Sequence, residues 1–198
     1  MKIGIFGGSF NPVHNGHVSV VKYVIENINL DKIIIVPVGI PSHRENDLEN
    51  KDERLHMCKL AFEHMDNVDI SDIEVKAEKI SYTYDTLLEI QKIYGEYNEY
   101  YEIIGEDSYA YFDKWRNYKE ILELSKVVVL QRDGYEGDII SDNIIMLDSP
   151  FFPYSSTEIR KRLENDDKID NMVPKDVLDY INQKSLYKRI KVRDGESW

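Results

Sequence analysis

The chain has 198 residues, 42% apolar and 31% charged, with 25 Lys and Arg against 37 Asp and Glu for a net charge of −12. That length carries enough apolar side chains for one domain with a proper core, and an acidic envelope repels phosphates at long range, which argues against a nucleic-acid-binding surface. One cysteine, Cys58, excludes a disulfide framework, and no apolar stretch approaches the ~18 residues of a membrane span, so a soluble cytoplasmic protein without a membrane partner is expected.

The chain alternates short β-branched runs with longer helical periods. Residues 2–6 read as a strand, and 17–28 as a helix with an apolar face of Val18, Val21, Ile25 and Ile28. Residues 32–36 read as a second strand, apolar from Ile33 onward and so buried on both faces. Residues 52–65 are helical with a stripe of Leu55, Cys58, Phe62 and Met65, which makes Cys58 a core residue and leaves His56 and His64 solvated. One or two extended pieces follow over 68–75, then a helix over 84–94, a strand over 100–104, a helix over 118–124 and a strand over 126–130. A last strand over 143–146 precedes closing helices over 157–163 and 175–183, and 189–198 reads as a flexible tail behind a domain spanning 1–188. Strand–helix alternation predicts an α/β fold, a doubly wound and mostly parallel sheet with right-handed crossovers. Ligands of such sheets bind outside the carboxyl ends of the strands, where Gly7, Pro37, Gly105 and Arg132 stand.

The first of these strand ends carries Gly7-Gly8-Ser9-Phe10-Asn11-Pro12-Val13-His14-Asn15-Gly16-His17. Two glycines let the backbone approach an anion, Pro12 stiffens the turn, and the amides that open the following helix add the positive end of its dipole. His14 and His17, three apart, lie on one face and can donate to one polyphosphate, with Gly16 leaving it room. The stretch lacks the Gly-Lys-Ser/Thr ending of a P-loop and the three glycines of a dinucleotide fingerprint. Zinc ligation by the two histidines is the competing reading, but no third ligand lies nearby in sequence. The stretch resembles the signature of the nucleotidylyltransferase superfamily at every fixed position. That resemblance implies a Rossmann-like nucleotidylyltransferase fold and an enzyme that moves the adenylyl group of ATP to a phosphate-bearing partner, with Gly7, Gly8, Ser9, Phe10, His14 and His17 on the ATP.

A second motif, Tyr154-Ser155-Ser156-Thr157-Glu158-Ile159-Arg160, reads locally as a capping box of Ser155 with Glu158. Arg160 is left over, because a cation near a helix start is disfavoured by the dipole unless an anion sits there. The segment resembles the superfamily's Ser-Ser-Thr-Xaa-Ile-Arg motif, which implies that Ser155, Ser156, Thr157 and Arg160 grip the β- and γ-phosphates. A helix terminus contributes roughly 0.3 to 1 kcal/mol, about 2 when partly buried, and cannot hold a triphosphate alone. Charge-assisted donors from His14, His17, Arg160 and Arg132 are expected to add to it, together with Mg2+ carried mainly by the ATP phosphates.

Three further segments resemble the bacterial nicotinate-nucleotide adenylyltransferases. Pro37 to Arg44 is similar to a family loop ending Pro-Pro-His-Lys/Arg, with Ser42 in place of the second proline, and places Arg44 on the mononucleotide phosphate. Ser81-Tyr82-Thr83-Tyr84-Asp85-Thr86-Leu87 is similar to a segment that opens a helix beside the pyridine ring; it implies that Thr83 touches ligand, while Asp85 and Thr86 also read as a capped helix start. Gly105-Glu106-Asp107 with Trp115 after it is similar to the family's Gly-Xaa-Asp and trailing Trp, which puts Gly105 and Asp107 on ATP and Trp115 on the nicotinate, with simple packing as the alternative for the indole. Arg132 stands where the family has Arg-Pro-Gly, with Asp133 for the proline, and joins Arg44, Thr83 and Trp115 on the mononucleotide side. The expected partners are therefore ATP and nicotinate mononucleotide, with a homo-oligomer left open. Nicotinamide mononucleotide is the nearest rival acceptor, and phosphopantetheine a more distant one.

Overall fold

A computed structural model describes residues 1–41, 48–131, 141–150 and 152–188. Six strands, β1 (Lys2–Gly8), β2 (Lys32–Pro37), β3 (Val68–Ile70), β4 (Glu99–Gly105), β5 (Lys126–Gln131) and β6 (Ile144–Asp148), form one sheet in the order β3-β2-β1-β4-β5-β6. Every pair is parallel. The inner strands read as unbroken apolar runs because both their faces are covered. Ile33 and Ile35 of β2 and Val128 and Leu130 of β5 enter one core; Ile34 and Val36, and Val127 and Val129, enter the other.

The first face is covered by α1 (Asn15–Ile28), α2 (Lys51–Phe62), α7 (Ser156–Glu164) and α8 (Lys175–Lys184), through Val21 and Val24, Met57 and Phe62, Ile159, and Val177 and Ile181. The second face is covered by α4 (Thr83–Tyr94) and α6 (Tyr118–Leu124), through Leu87, Ile90 and Ile121. Cys58 is buried, while His56 and His64 are exposed. On α1 the fully buried valines are Val21 and Val24, and the expected Val18, Ile25 and Ile28 pack only partly against the core.

Two local expectations change. Of the extended stretch over 68–75, only β3 is strand; Ile73–Lys76 is a single helical turn, α3. Tertiary packing decides it, because Val75 is buried and a Cβ on Gly39 would lie 1.9 Å from the Glu74 carbonyl oxygen, so the turn rests directly on the glycine backbone. A short helix α5 (Glu106–Tyr109) and a 3-10 turn (Phe112–Lys114) fill the connection after β4, where no element was expected. The tail expected over 189–198 lies outside the described residues. Among the described residues no helix is long and apolar enough to cross a membrane.

The strand order reverses between β1 and β4, and such a switch point opens a crevice at the carboxyl ends of the strands. The motif loop leaves β1 there, and Gly105 ends β4 beside it.

Candidate active site

Beyond β1 the chain turns sharply. Phe10 takes a left-handed φ of 44°, a strain of about 1–3 kcal/mol for a non-glycine residue, and the Asn11–Pro12 peptide is cis. What holds Phe10 there is burial: it is 1% exposed, its ring meets Phe6 edge-on at 5.7 Å and lies 4.9 Å from the His17 ring. Phe10 therefore belongs to the packing beneath the loop, under the imidazole that the loop presents.

His14 and His17 come together as the repeat of three requires, with stacked rings 3.7 Å apart. The His14 backbone N–H donates to His17 Nδ1 at 3.2 Å, closing the first turn of α1 and leaving the ring hydrogen of a neutral His17 on Nε2. Burial lowers the pKa of His14 to about 4. Burial, and then the neighbouring His14, hold His17 well below the usual histidine range. The two are thus neutral donors, and the expectation of charge-assisted histidines is corrected by their desolvation. Gly16 has a more local task than expected: a Cβ there would stand 2.9 Å from His14 Nδ1, so the glycine makes room for the imidazole itself.

The second motif folds onto this loop from 149 residues away: Arg160 Nη1 donates to the Asn11 carbonyl at 2.8 Å. The Ser156 hydroxyl donates to the Pro12 carbonyl at 2.9 Å, and Arg160 Nη2 lies 3.5 Å from Thr157 Oγ1. Ser155 caps α7, its Oγ accepting from the Glu158 N–H at 3.2 Å. Only half of the capping box forms, since the Glu158 carboxylate reaches forward to Arg162 Nε at 2.7 Å. The first turn of α7, with Thr157 exposed, thus rests on the Asn11 and Pro12 carbonyls of the loop that leads into α1. Among the described residues, the one trio of metal-ligating side chains within reach of each other is the exposed set Glu63, His64 and Asp176, which involves neither loop histidine.

On the other side of the loop lies a cleft of about 330 Å³, whose walls include Gly7, Gly8, Ser9, Thr83, Gly105 and Trp115. A Cβ on Gly7 or on Gly105 would meet nothing within 4 Å, so no protein packing requires either glycine and the space they leave opens at the strand ends. Thr83 is the first residue of α4, and Trp115 is half-buried with its ring 5.3 Å from Phe112. Asp107 is exposed in the first turn of α5, just past Gly105. The capped helix start expected of Asp85 and Thr86 does not form: neither side chain caps α4, and both are engaged elsewhere. The Thr86 hydroxyl donates to Glu74 at 2.7 Å, and Asp85 meets Arg116 at 3.3 Å. Arg44 and Arg132 lie outside the described residues.

Two functional-site residues escaped the sequence reading. Arg54 is 1% exposed, and its guanidinium donates to the carbonyls of Glu49 (2.9 Å), Ser9 (2.8 Å) and Val38 (2.7 Å). It ties α2 to the loops after β1 and β2. Its signal was a charge four residues before Cys58, on the apolar stripe of α2. Glu102, 4% exposed in the middle of β4, is a cleft wall. Its signal was a carboxyl inside the run Tyr-Tyr-Glu-Ile-Ile.

Residues 5–162 match the model of the cytidylyltransferase-like family. A probable nicotinate-nucleotide adenylyltransferase of Fusobacterium nucleatum is 50% identical over 94% of this chain and 100% of its own length. One of Clostridium tetani is 35% identical over 94% of this chain and 99% of its own. Among solved structures, the Plasmodium falciparum nicotinic acid mononucleotide adenylyltransferase complexed with NaAD superposes with a TM-score of 0.76 at 19% identity, covering 94% of this chain and 97% of that one.

Proposed function

The chain belongs to the cytidylyltransferase-like family and, within it, to the nicotinate-nucleotide adenylyltransferases, and from that premise we propose that it transfers AMP from ATP to nicotinate mononucleotide, giving deamido-NAD and pyrophosphate. The observation that carries this reading is the 2.8 Å bond from Arg160 to the Asn11 carbonyl, which brings the carboxyl-terminal motif against the histidine loop. ATP lies along the ends of β1 and β4 in this reading, its triphosphate between the starts of α1 and α7. His17 Nε2–H, the His14 imidazole, the hydroxyl of Thr157 and the Arg160 guanidinium are the donors it meets. The mononucleotide occupies the cleft, its ring against Trp115 and Thr83, with Arg44 and Arg132 serving phosphates.

A phosphate nucleophile is already ionised near neutral pH, so no general base is needed. A phosphate oxygen of the mononucleotide attacks the α-phosphorus in line, the bond to the bridging oxygen of the β-phosphate breaks, and pyrophosphate leaves. Holding both substrates in line supplies on the order of 7–11 kcal/mol of the barrier. Donors fixed by the Phe10 packing and the Asn11 and Pro12 carbonyls then stabilise the departing charge without reorganising. Mg2+ would be held mainly by the ATP phosphates and would neutralise part of their charge there, which suits a loop whose histidines belong to no cluster of metal-ligating side chains among the described residues. The buried free thiol of Cys58 fits the reducing cytoplasm expected from composition.

Purified protein with ATP, magnesium and each acceptor in turn, followed by pyrophosphate release, tests the assignment. Turnover with nicotinate mononucleotide in preference to nicotinamide mononucleotide and phosphopantetheine is expected. Preference for phosphopantetheine, or no turnover with either pyridine mononucleotide, overturns it.

A further inference from the structure

Glu102 is a carboxylic acid where an apolar side chain would pack at no cost. In the ladder it stands between Ile5 of β1 and Val127 of β5. It opens onto the cleft that Trp115, Thr83, Ser81 and Ser108 also line, and its Oε2 is buried with no hydrogen-bond partner. A buried, unsatisfied carboxyl oxygen at the wall of a ligand cavity calls for a partner that the cavity admits.

The ionisable group that faces it among the described residues is Glu74 of α3, a wall of the same cleft. The strands on either side offer only Ile5 and Val127, α4 and α5 offer Thr83 and Ser108, and Trp115 follows the 3-10 turn. Burial raises the Glu74 carboxyl above its ordinary range, and hydrogen bonds from the Thr86 hydroxyl and the Gly39 N–H offset part of that rise. Glu102 has no such donor on Oε2, so the proton of the pair resides there. Burial, and then the charge of Glu74, push the Glu102 carboxyl up to about 8. Near neutral pH it is an acid with an O–H to donate.

We propose that Glu102 is a specificity-determining residue for the acceptor: protonated, it donates a hydrogen bond to the carboxylate on the pyridine ring of nicotinate mononucleotide, and ionised, it repels that carboxylate and accepts from a carboxamide instead. The inference rests on the reading that places this mononucleotide in the cleft. The ring carboxylate and the carboxamide keep their charge states across neutral and alkaline pH, so a change in preference there reports on the protein. The preference for acid over amide weakens as pH rises through about 8.

The test measures kcat/KM for nicotinate and nicotinamide mononucleotides with magnesium and ATP between pH 7 and 9.5, in the wild type, Glu102→Gln and Glu102→Leu. The wild-type ratio of acid to amide is expected to fall about tenfold across the range, the size of a charge-assisted hydrogen bond. Glu102→Gln, which still donates, keeps the pH 7 ratio and flattens the profile; Glu102→Leu lowers the ratio and is flat. Calorimetry of nicotinate mononucleotide binding at pH 8.5, in two buffers of different ionisation enthalpy, is expected to show proton uptake by the wild type and none by Glu102→Gln. These wild-type measurements stand even if a variant fails to fold. Turnover of nicotinate mononucleotide with a flat wild-type ratio and no proton uptake overturns the role of Glu102 alone, whereas turnover of neither mononucleotide overturns the acceptor assignment and this inference with it.

Discussion

His14 and His17 serve by placement more than by charge. Their rings stack at 3.7 Å on a base of Phe10 and Phe6, and one backbone bond, from the His14 N–H to His17 Nδ1, decides which ring nitrogen carries the hydrogen. The same bond gives His17 a small structural role, worth about 1 kcal/mol. His17→Ala is therefore expected to lower kcat by about 10²–10³, the range for losing one preorganised donor at developing charge, while the melting temperature drops by only a few degrees. Calorimetric melting set beside pyrophosphate-release kinetics separates the two effects, and equal loss of both would make the imidazole a packing residue. A sequence pattern reveals that the histidines share a face. It does not reveal their protonation, because desolvation depends on which rings close over them.

Elements meet at the motif loop through backbone carbonyls. α7 is docked by Ser156 on Pro12 and by Arg160 on Asn11, and α2 is docked by Arg54 on Ser9 and Val38. The loop of the nucleotide donor and the start of the acceptor loop thus share one buried guanidinium. Arg54→Met keeps the volume and orphans those carbonyls, so a loss of about 3 kcal/mol or more is expected, a fall in melting temperature of roughly 6–12 °C. KM for ATP and for the mononucleotide is expected to rise together, since the carbonyls of both loops lose one anchor. Thermal melts with two-substrate kinetics check this, and a rise in only one KM would show that the loops are held independently. The longer helices, unlike the single turns α3 and α5, were legible from their apolar periods. The docking bonds were not, because a carbonyl acceptor has no residue signature and a 149-residue separation leaves no local pattern.

At the scale of the whole molecule, buried titratable groups set the pH range of stability. His14, lowered from 6.5 to about 4, binds fewer protons folded than unfolded, so its contribution of about 3 kcal/mol is present above pH 6.5 and lost as pH falls toward 4. Glu102, raised from 4.5 to about 8, binds more protons folded, so its contribution is present below pH 4.5 and lost as pH rises toward 8. The two slopes oppose one another between pH 4.5 and 6.5, leaving a net fall of about 2 kcal/mol from pH 6.5 to 8. Denaturant melts at stepped pH are expected to show that fall in the wild type and a much flatter line in Glu102→Gln; an unchanged slope in the variant would take Glu102 out of the account. By itself the sequence determined the alternation of elements, the parallel sheet and the two motifs, because strand and helix periods and the glycine-histidine and serine-arginine spacings are local properties of the chain; the substrate class came from the resemblance those motifs carry. Only the tertiary structure decided that the second motif docks on carbonyls of the first, that α3 is a helical turn, that Phe10 packs beneath the loop, that Arg54 anchors the loops after β1 and β2, and that Glu102 lines the cleft. Burial and hydrogen-bond satisfaction depend on which distant residues the β1–β4 switch point brings together, and no window of sequence contains both halves of such a contact.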